Sequence, residues 1–164
     1  MGVISCVVTQ NVDGLHQAAG SEGVVEFHGD LLTARCSRCG APAGSSRALL
    51  SGPLPPLCAT CGGFVKPSAT LFGESLSPGA VAAALSAVNK CDVLLVVGTS
   101  ASVRPASELP RAAAARGATV VEVNTDDTGL TNRVSHRILR GKAGVVLPAV
   151  AARVAQLRVA QPGL

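Results

Sequence analysis

Four of the six cysteines in the chain have the spacing of ligands to a single metal ion. Cys36 and Cys39 form one C-x2-C pair, Cys58 and Cys61 form a second, and eighteen residues separate the two pairs. This spacing is typical of a four-cysteine zinc site, whereas two disulfides or a redox-active C-x-x-C pair are the alternatives. Four thiolates fill a tetrahedral shell and leave no position for water. The sequence therefore predicts one zinc ion with a structural role.

Polar side chains follow an apolar run near the start of the chain, in the stretch "VVTQNVDGLH". Gln10, Asn11 and Asp13 come directly after the apolar residues, and amides and a carboxylate buried at a strand end need hydrogen-bond partners. A bound ligand would supply those partners. His28, in "EFHGDL", has a side chain whose pKa suits a base near neutral pH, although a single histidine is often only structural.

Two later strand ends carry similar residues. Gly98, Thr99 and Ser100 follow "VLLVV", and Asn124 follows "ATVVEV". In parallel sheets ligands bind beyond the carboxyl ends of the strands, where loop amides and helix amino termini meet. A glycine with two hydroxyl residues could hold an anion there, but such residues also cap helices.

The elements that must position these residues alternate between strand and helix. We expect strands at Val3–Val8, Val93–Val97, 118–123 and Val134–Leu139. We expect helices from Pro78, at Pro105–Arg116 and at about 143–157. Residues 26–31 are expected to form a loop. The Cys-, Ser-, Pro- and Gly-rich stretch at 35–64 is expected to be an insert outside the main sheet, with loops at "GAPAGSS" and "SGPLPP". Strand, helix and strand in succession predict a parallel sheet with right-handed crossovers.

The fold class predicted from these elements is α/β, an incomplete Rossmann-like parallel sheet with a small zinc-ribbon insert. Residues 1–30 and 67–164 would form the Rossmann-like domain, and residues 31–66 would form the zinc-binding insert. The composition is 48% hydrophobic with 3 Phe and neither Trp nor Tyr, so the core must be aliphatic.

The charge pattern limits the partners of the protein. The formal net charge is +4, and the charges are scattered, without aromatic residues among basic runs, so no nucleic-acid surface is expected. Apolar stretches are broken by Lys90, Asp92, Pro148 and Arg153, so we expect no membrane span. No signal-peptide pattern is present at the start, which favours a cytoplasmic location.

The order of these pieces resembles the sirtuins, a family of NAD-dependent protein deacylases. The matching segments run over nearly the whole chain: "TQNVDGLHQAAG", "EFHGDL", two C-x2-C pairs, "KPSATLFGE", "VGTSASVRPASELP", "VN" and "RGKAG". The resemblance implies that the chain uses NAD, binds an acyl-lysine protein or peptide, and holds zinc as a structural ion. It also implies that the sequence starts after the glycine-rich phosphate loop of the family.

The resemblance assigns a role to each of these segments. His28 matches the general base, which accepts a proton from a ribose hydroxyl after the acyl-lysine oxygen attacks the ribose carbon and nicotinamide leaves. Positions that match contacts to the dinucleotide are Gln10, Asn11, Asp13, Gly98, Thr99, Ser100, Asn124 and Ala143. Positions that match the segment pairing with the substrate backbone are Thr70, Leu71, Phe72, Gly73 and Glu74.

Two other functions fit parts of the sequence. A non-catalytic zinc-containing binding module fits the expected lack of the phosphate loop, but it leaves Gln10, Asn11, Asp13 and His28 without a purpose. A Rossmann oxidoreductase that uses NAD as a hydride carrier fits the alternating elements, but its G-x-G-x-x-G sequence does not occur in this chain.

Overall fold

Residues 4–160 are described in the computed structural model, and they contain eight β-strands and five α-helices. The chain divides into two compact units, Met1–Leu85 and Ser86–Leu164. The boundary between these units lies between residues 85 and 86. It does not bear on the predicted division into a Rossmann-like domain and an insert at 31–66, which stays a prediction.

The first unit opens with two short parallel strands. β1 spans Val7–Thr9, the single-turn helix α1 spans Leu15–Ala18, and β2 spans Val24–Glu26, with Val8 opposite Val25. β1 therefore begins at Val7, later than the predicted strand Val3–Val8. Val3 itself lies outside the described residues. β2 is missing from the prediction because three residues carry too little pattern to be recognised.

The cysteine-rich part of the first unit is a three-stranded antiparallel sheet. β3, Thr33–Cys36, lies between β4, Pro42–Ser45, and β5, Val65–Pro67, and the short helix α2, Ser46–Leu49, follows β4. The prediction of a loop at "GAPAGSS" is wrong, because β4 lies in it and pairs with β3 despite its proline and glycine. Sheet pairing overrides the weak strand propensity of these residues.

The second unit contains a three-stranded parallel sheet in the order β6-β7-β8. β6 spans Val93–Val97, β7 spans Thr119–Asn124 and β8 spans Arg137–Arg140. β8 therefore starts three residues later than the strand that was predicted from Val134. The predicted parallel pairing is confirmed, with Leu95 opposite Val121.

Helices precede β6 and connect it to β7. α3, Pro78–Lys90, leads into β6 and begins at its proline, as the sequence predicts. The predicted helix Pro105–Arg116 is a 3₁₀ turn, Ala106–Glu108, followed by α4, Leu109–Ala115. Gly117 follows with a φ of 91°, a left-handed conformation that suits glycine after a helix.

The core of the second unit is aliphatic, as the composition requires. Val96, Ala113, Val120 and Leu130 are buried in one cluster. At the edge of this sheet β6 pairs only with β7 among the described strands, and Val93 at its start is 55% exposed.

The last helix begins at Ala143, as the sequence predicts, and is three residues longer than predicted. α5 spans Ala143–Ala160 and includes Pro148 and Arg153, the residues on which the expectation of no membrane span partly rested. By length and composition this helix could cross a membrane, with a mean hydropathy of 1.4 and no part of that stretch buried. One such helix is a weak indication of a membrane span.

Candidate functional site

The four predicted metal ligands converge at one point in the first unit. The sulfur atoms of Cys36, Cys39, Cys58 and Cys61 all lie within 4.8 Å of one another. The Cys36–Cys61 and Cys39–Cys58 sulfur distances are 3.5 and 3.8 Å. A tetrahedral zinc ion with bonds of about 2.3 Å would separate its sulfurs by about 3.8 Å, whereas a disulfide bond is about 2.05 Å long. The cysteines are thus in position to bind one zinc ion, and all are free thiols.

Gly63 brings the backbone close to this cluster. A Cβ atom at Gly63 would lie 3.2 Å from Cys36 Sγ, 3.3 Å from Cys61 Sγ and 2.9 Å from Arg38 Cβ. Glycine is therefore required where the chain passes the sulfur atoms.

The protonation of the thiols also fits a cation site. The pKa of Cys36 is lowered to about 6, chiefly because the backbone N–H of Cys39 donates to its sulfur. At Cys39 the backbone N–H of Ala41 lowers the pKa, but the thiols of Cys61 and Cys36 outweigh it and raise the value to about 11. Such a cluster shares protons among its thiols, and a bound divalent ion would displace them.

The two remaining cysteines, Cys6 and Cys91, are not members of this cluster. Cys91 is half-buried, packs against the core of the second unit and donates to the carbonyl oxygen of Val88 (3.3 Å). Burial raises the pKa of the Cys6 thiol. Cys6, like Cys91, is half-buried.

The polar residues after β1 form a short turn that leads into α1. The backbone N–H of Asn11 donates to Thr9 Oγ1 (3.1 Å), and Asp13 Oδ1 accepts from the backbone N–H of Leu15 (3.1 Å). Gln10, Asn11 and Asp13 are exposed, so the expectation that they are buried is wrong. They lie at a strand end, where their polar groups can reach a ligand.

His28 is half-buried directly after the buried residue Phe27, with 5.6 Å between the ring centroids. The Phe27 backbone N–H donates to the carbonyl oxygen of Thr9 (2.9 Å), which holds this loop against the end of β1. The carbonyl oxygen of His28 accepts from the backbone N–H of Thr70 (2.8 Å). One network of backbone bonds thus connects the predicted base with the end of β1 and with the predicted substrate segment.

The close approach of these loops depends on Gly29. Gly29 has a φ of 73°, and a Cβ there would lie 2.3 Å from the carbonyl oxygen of Ser68. No larger residue fits between the His28 loop and the segment that leads to Thr70 without a backbone shift.

In the second unit the side chain of Asn124 connects the loops after β6 and β7. Asn124 Nδ2 donates to the carbonyl oxygen of Thr99 (2.9 Å), and Asn124 Oδ1 accepts from the backbone N–H of Thr125 (2.9 Å). Gly98 has a φ of 60°, and among residues 4–160 no atom beyond its chain neighbours lies within 4 Å of the position that a Cβ would take. Ser100 and Ser102 share a hydroxyl hydrogen bond of 2.8 Å.

The start of α5 lies at the same edge of this sheet. The carbonyl oxygen of Asn124 accepts from the backbone N–H of Gly141 (3.1 Å), two residues before Ala143. The structure therefore brings together the loop with Gly98, Thr99 and Ser100, the end of β7 and the first turn of α5.

Sequence reasoning missed the buried acid in β7. Glu122 is 1% exposed and accepts hydrogen bonds from the hydroxyls of Thr128 (2.5 Å), Thr131 (3.0 Å) and Ser135 (2.9 Å). These donors belong to the loop after Asn124, so Glu122 fastens that loop to the sheet. A single carboxylate in the otherwise aliphatic "TVVEV" was the available signal.

Comparison with known proteins identifies the family of this chain. The model of the Sir2 family matches residues 1–105. The chain belongs to the Sir2 family. It is 48% identical over 151 residues to NAD-dependent protein deacylase 2 of Pyrobaculum aerophilum, which covers 90% of this chain.

Solved structures of Sir2 relatives have the same fold. A Sir2 homologue in complex with NAD gives a TM-score of 0.85 at 39% identity over 94% of this chain and 60% of that protein. A complex of Sir2 with a p53 peptide and NAD⁺ gives 0.82 at 30% identity over 93% of this chain and 64% of that protein. These matches confirm the predicted α/β class and the resemblance to the sirtuins.

The chain is shorter than the relatives that it matches. It spans 58% of the length of the Pyrobaculum aerophilum protein.

Proposed function

We propose that this member of the Sir2 family is an NAD-dependent protein lysine deacylase. It would transfer an acyl group from lysine to ADP-ribose and release nicotinamide. Relatives named as NAD-dependent deacylases support this activity. The observation that carries it is the hydrogen bond between the His28 carbonyl and the Thr70 N–H, which ties the candidate base to the candidate substrate segment.

The proposed reaction uses NAD, an acyl-lysine peptide and one water. The acyl oxygen of lysine bonds to the ribose carbon as nicotinamide leaves, and His28 accepts a proton from a ribose hydroxyl. The products are nicotinamide, free lysine and O-acyl-ADP-ribose.

The other residues of this proposal bind the substrates. In the first unit Gln10, Asn11 and Asp13 would contact the nicotinamide end of NAD. In the second unit the proposed dinucleotide contacts are Gly98, Thr99, Ser100, Asn124 and Ala143.

Zinc would have a structural role in this enzyme. The buried Cys36 lies in β3, and Cys58 is buried in the same small cluster, so the ion would hold together a sheet with few other core residues. A cytoplasmic location and the absence of a nucleic-acid partner stay predictions of the sequence.

The test is to incubate the purified protein with NAD and an acetyl-lysine peptide and to quantify the products by liquid chromatography and mass spectrometry. We expect equal amounts of nicotinamide and deacetylated peptide. His28→Ala should reduce the rate by about 10²- to 10⁴-fold, the usual contribution of a general base. His16→Gln is the control and should leave the rate unchanged. An absorbance increase from reduced nicotinamide, or an unaffected His28→Ala variant, would exclude this mechanism.

A further inference from the structure

The segment Thr70–Glu74 is closed into a turn by one of its own residues. The backbone N–H of Glu74 donates to the carbonyl oxygen of Leu71 (3.0 Å), and Gly73 has a φ of 87°. A positive φ at the third residue is the requirement of a type II turn. The carboxylate of Glu74 then folds back and accepts from the backbone N–H of Leu71 (2.9 Å). Glu74 thus binds both backbone polar groups of Leu71.

Lys66 holds this carboxylate in place. Its ammonium group donates to Glu74 Oε2 (2.8 Å) and to the carbonyl oxygen of Ala69 (2.8 Å). The side chains of Lys66 and Glu74 are 20% and 35% exposed, so the pair is partly shielded from water. Lys66 lies in β5 beside Val65, and Val65 pairs with Cys36. The pair therefore connects the turn to the strand next to the metal ligands.

These bonds determine which groups of the segment remain for a partner. The N–H of Thr70 donates to His28 and that of Leu71 donates to Glu74. Within residues 4–160, no hydrogen bond reaches the backbone of Phe72 or Gly73. The side chain of Phe72 is 98% exposed. The turn thus presents two unpaired peptide groups and one large apolar side chain together.

We propose that Lys66 and Glu74 are positioning residues for the peptide substrate. They fix the turn so that the backbone of Phe72 and Gly73 pairs with an extended acyl-lysine peptide while Phe72 packs against it. This inference rests on the proposed deacylase function. It adds two residues that need not touch the peptide and that act through the shape of the turn.

The experiment measures peptide binding and turnover separately in the full chain. Binding of a fluorescein-labelled acetyl-lysine peptide is followed by fluorescence polarisation, and turnover by nicotinamide release at varied peptide and varied NAD. We expect Lys66→Met and Glu74→Gln each to raise the peptide Kd and KM by about tenfold, because a displaced binding segment lowers affinity without removing any reacting group. The KM for NAD and kcat at saturating peptide should stay unchanged.

Three further variants give the controls. Lys66→Arg should restore peptide binding, because a guanidinium can reach both acceptors. Lys90→Met and Glu22→Gln make the same changes at exposed positions and should have no effect. The double variant Lys66→Met with Glu74→Gln should raise the peptide Kd by less than the product of the two single effects, since each single change already removes the Lys66–Glu74 bond.

The outcomes separate the two proposals. Unchanged peptide Kd in both single variants, or an increase in the NAD KM equal to that in the peptide KM, overturns the positioning role. Peptide binding without any nicotinamide release, with binding weakened in the variants, supports the positioning role and overturns the deacylase function. Failure of the unaltered protein to bind the peptide overturns the inference.

Discussion

At the scale of single residues, the metal cluster depends on the close approach of Gly63, and the substrate turn depends on the bonds that Lys66 and Glu74 make. The cysteine spacing was enough to predict the zinc site, because two C-x2-C pairs leave few other arrangements. The exposure of Gln10, Asn11 and Asp13 could not be predicted, because it depends on where α1 lies after β1. The pair of Lys66 and Glu74 was missed because it forms only when the turn brings residues 66 and 74 together.

Gly63 gives a prediction about the metal cluster. Gly63→Ala should lower the free energy of unfolding of the zinc-loaded protein by about 1–3 kcal/mol, because the new Cβ crowds Arg38 and two sulfurs. Denaturant unfolding monitored by circular dichroism measures this. Gly52→Ala is the control, because the nearest atom to its Cβ would be 3.9 Å away. Equal effects of the two substitutions would contradict the close approach.

Glu74 gives a prediction about pH. Its pKa is lowered from the usual value of 4.5, first by the hydrogen bond from Lys66 and then by the Leu71 N–H. A carboxylate with a lowered folded-state pKa stabilises the protein above its unfolded pKa, and this stabilisation is lost as pH falls through the folded value. The protein and its Glu74→Gln variant should therefore differ in Tm at neutral pH and converge in acid. A difference in Tm that persists below the folded-state pKa of Glu74 would contradict this assignment.

At the scale of elements, long and uniform segments were predictable and short ones were not. β6 was predicted with its correct bounds from five consecutive aliphatic residues, and α3 from an alanine-rich stretch that starts with proline. β2 and β4 have three and four residues, and their strand form depends on pairing with β1 and β3. α5 was predicted, but its continuation beyond Leu157 was not.

Glu122 gives a prediction about the loop after β7. Glu122→Ala should destabilise the protein by about 2–4 kcal/mol, because it leaves three hydroxyls without their acceptor and opens a cavity. Calorimetry of the variant and of the exposed control Glu22→Ala would measure the difference. If both variants melt at the same temperature, Glu122 does not anchor the loop.

At the scale of the whole molecule, the two compact units should respond differently to loss of metal. The four cysteines of the metal cluster lie in the unit Met1–Leu85. The sheet of β6, β7 and β8 lies in the unit Ser86–Leu164 and has its own aliphatic core.

Chelation should therefore act on one unit. After zinc removal with a chelator, amide hydrogen exchange should become faster in β3 and β5 and in the turn 70–74, but not in β6 and β7. Mass spectrometry of peptic fragments measures this exchange, and metal analysis of the untreated protein should give one zinc per chain. Equal acceleration in both units, or none in β3, would show that the ion does not stabilise this sheet.

The double closure of the turn by Glu74 also has a consequence for the thermodynamics of recognition. A segment that becomes ordered only on contact with its partner loses conformational entropy at that moment, and affinity falls by that amount. Here the N–H and C=O of Leu71 already have partners before any peptide arrives. Because the turn is already ordered before binding, peptide association should be fast. Weakening of the Lys66–Glu74 pair should act mainly by adding an entropic penalty to peptide binding.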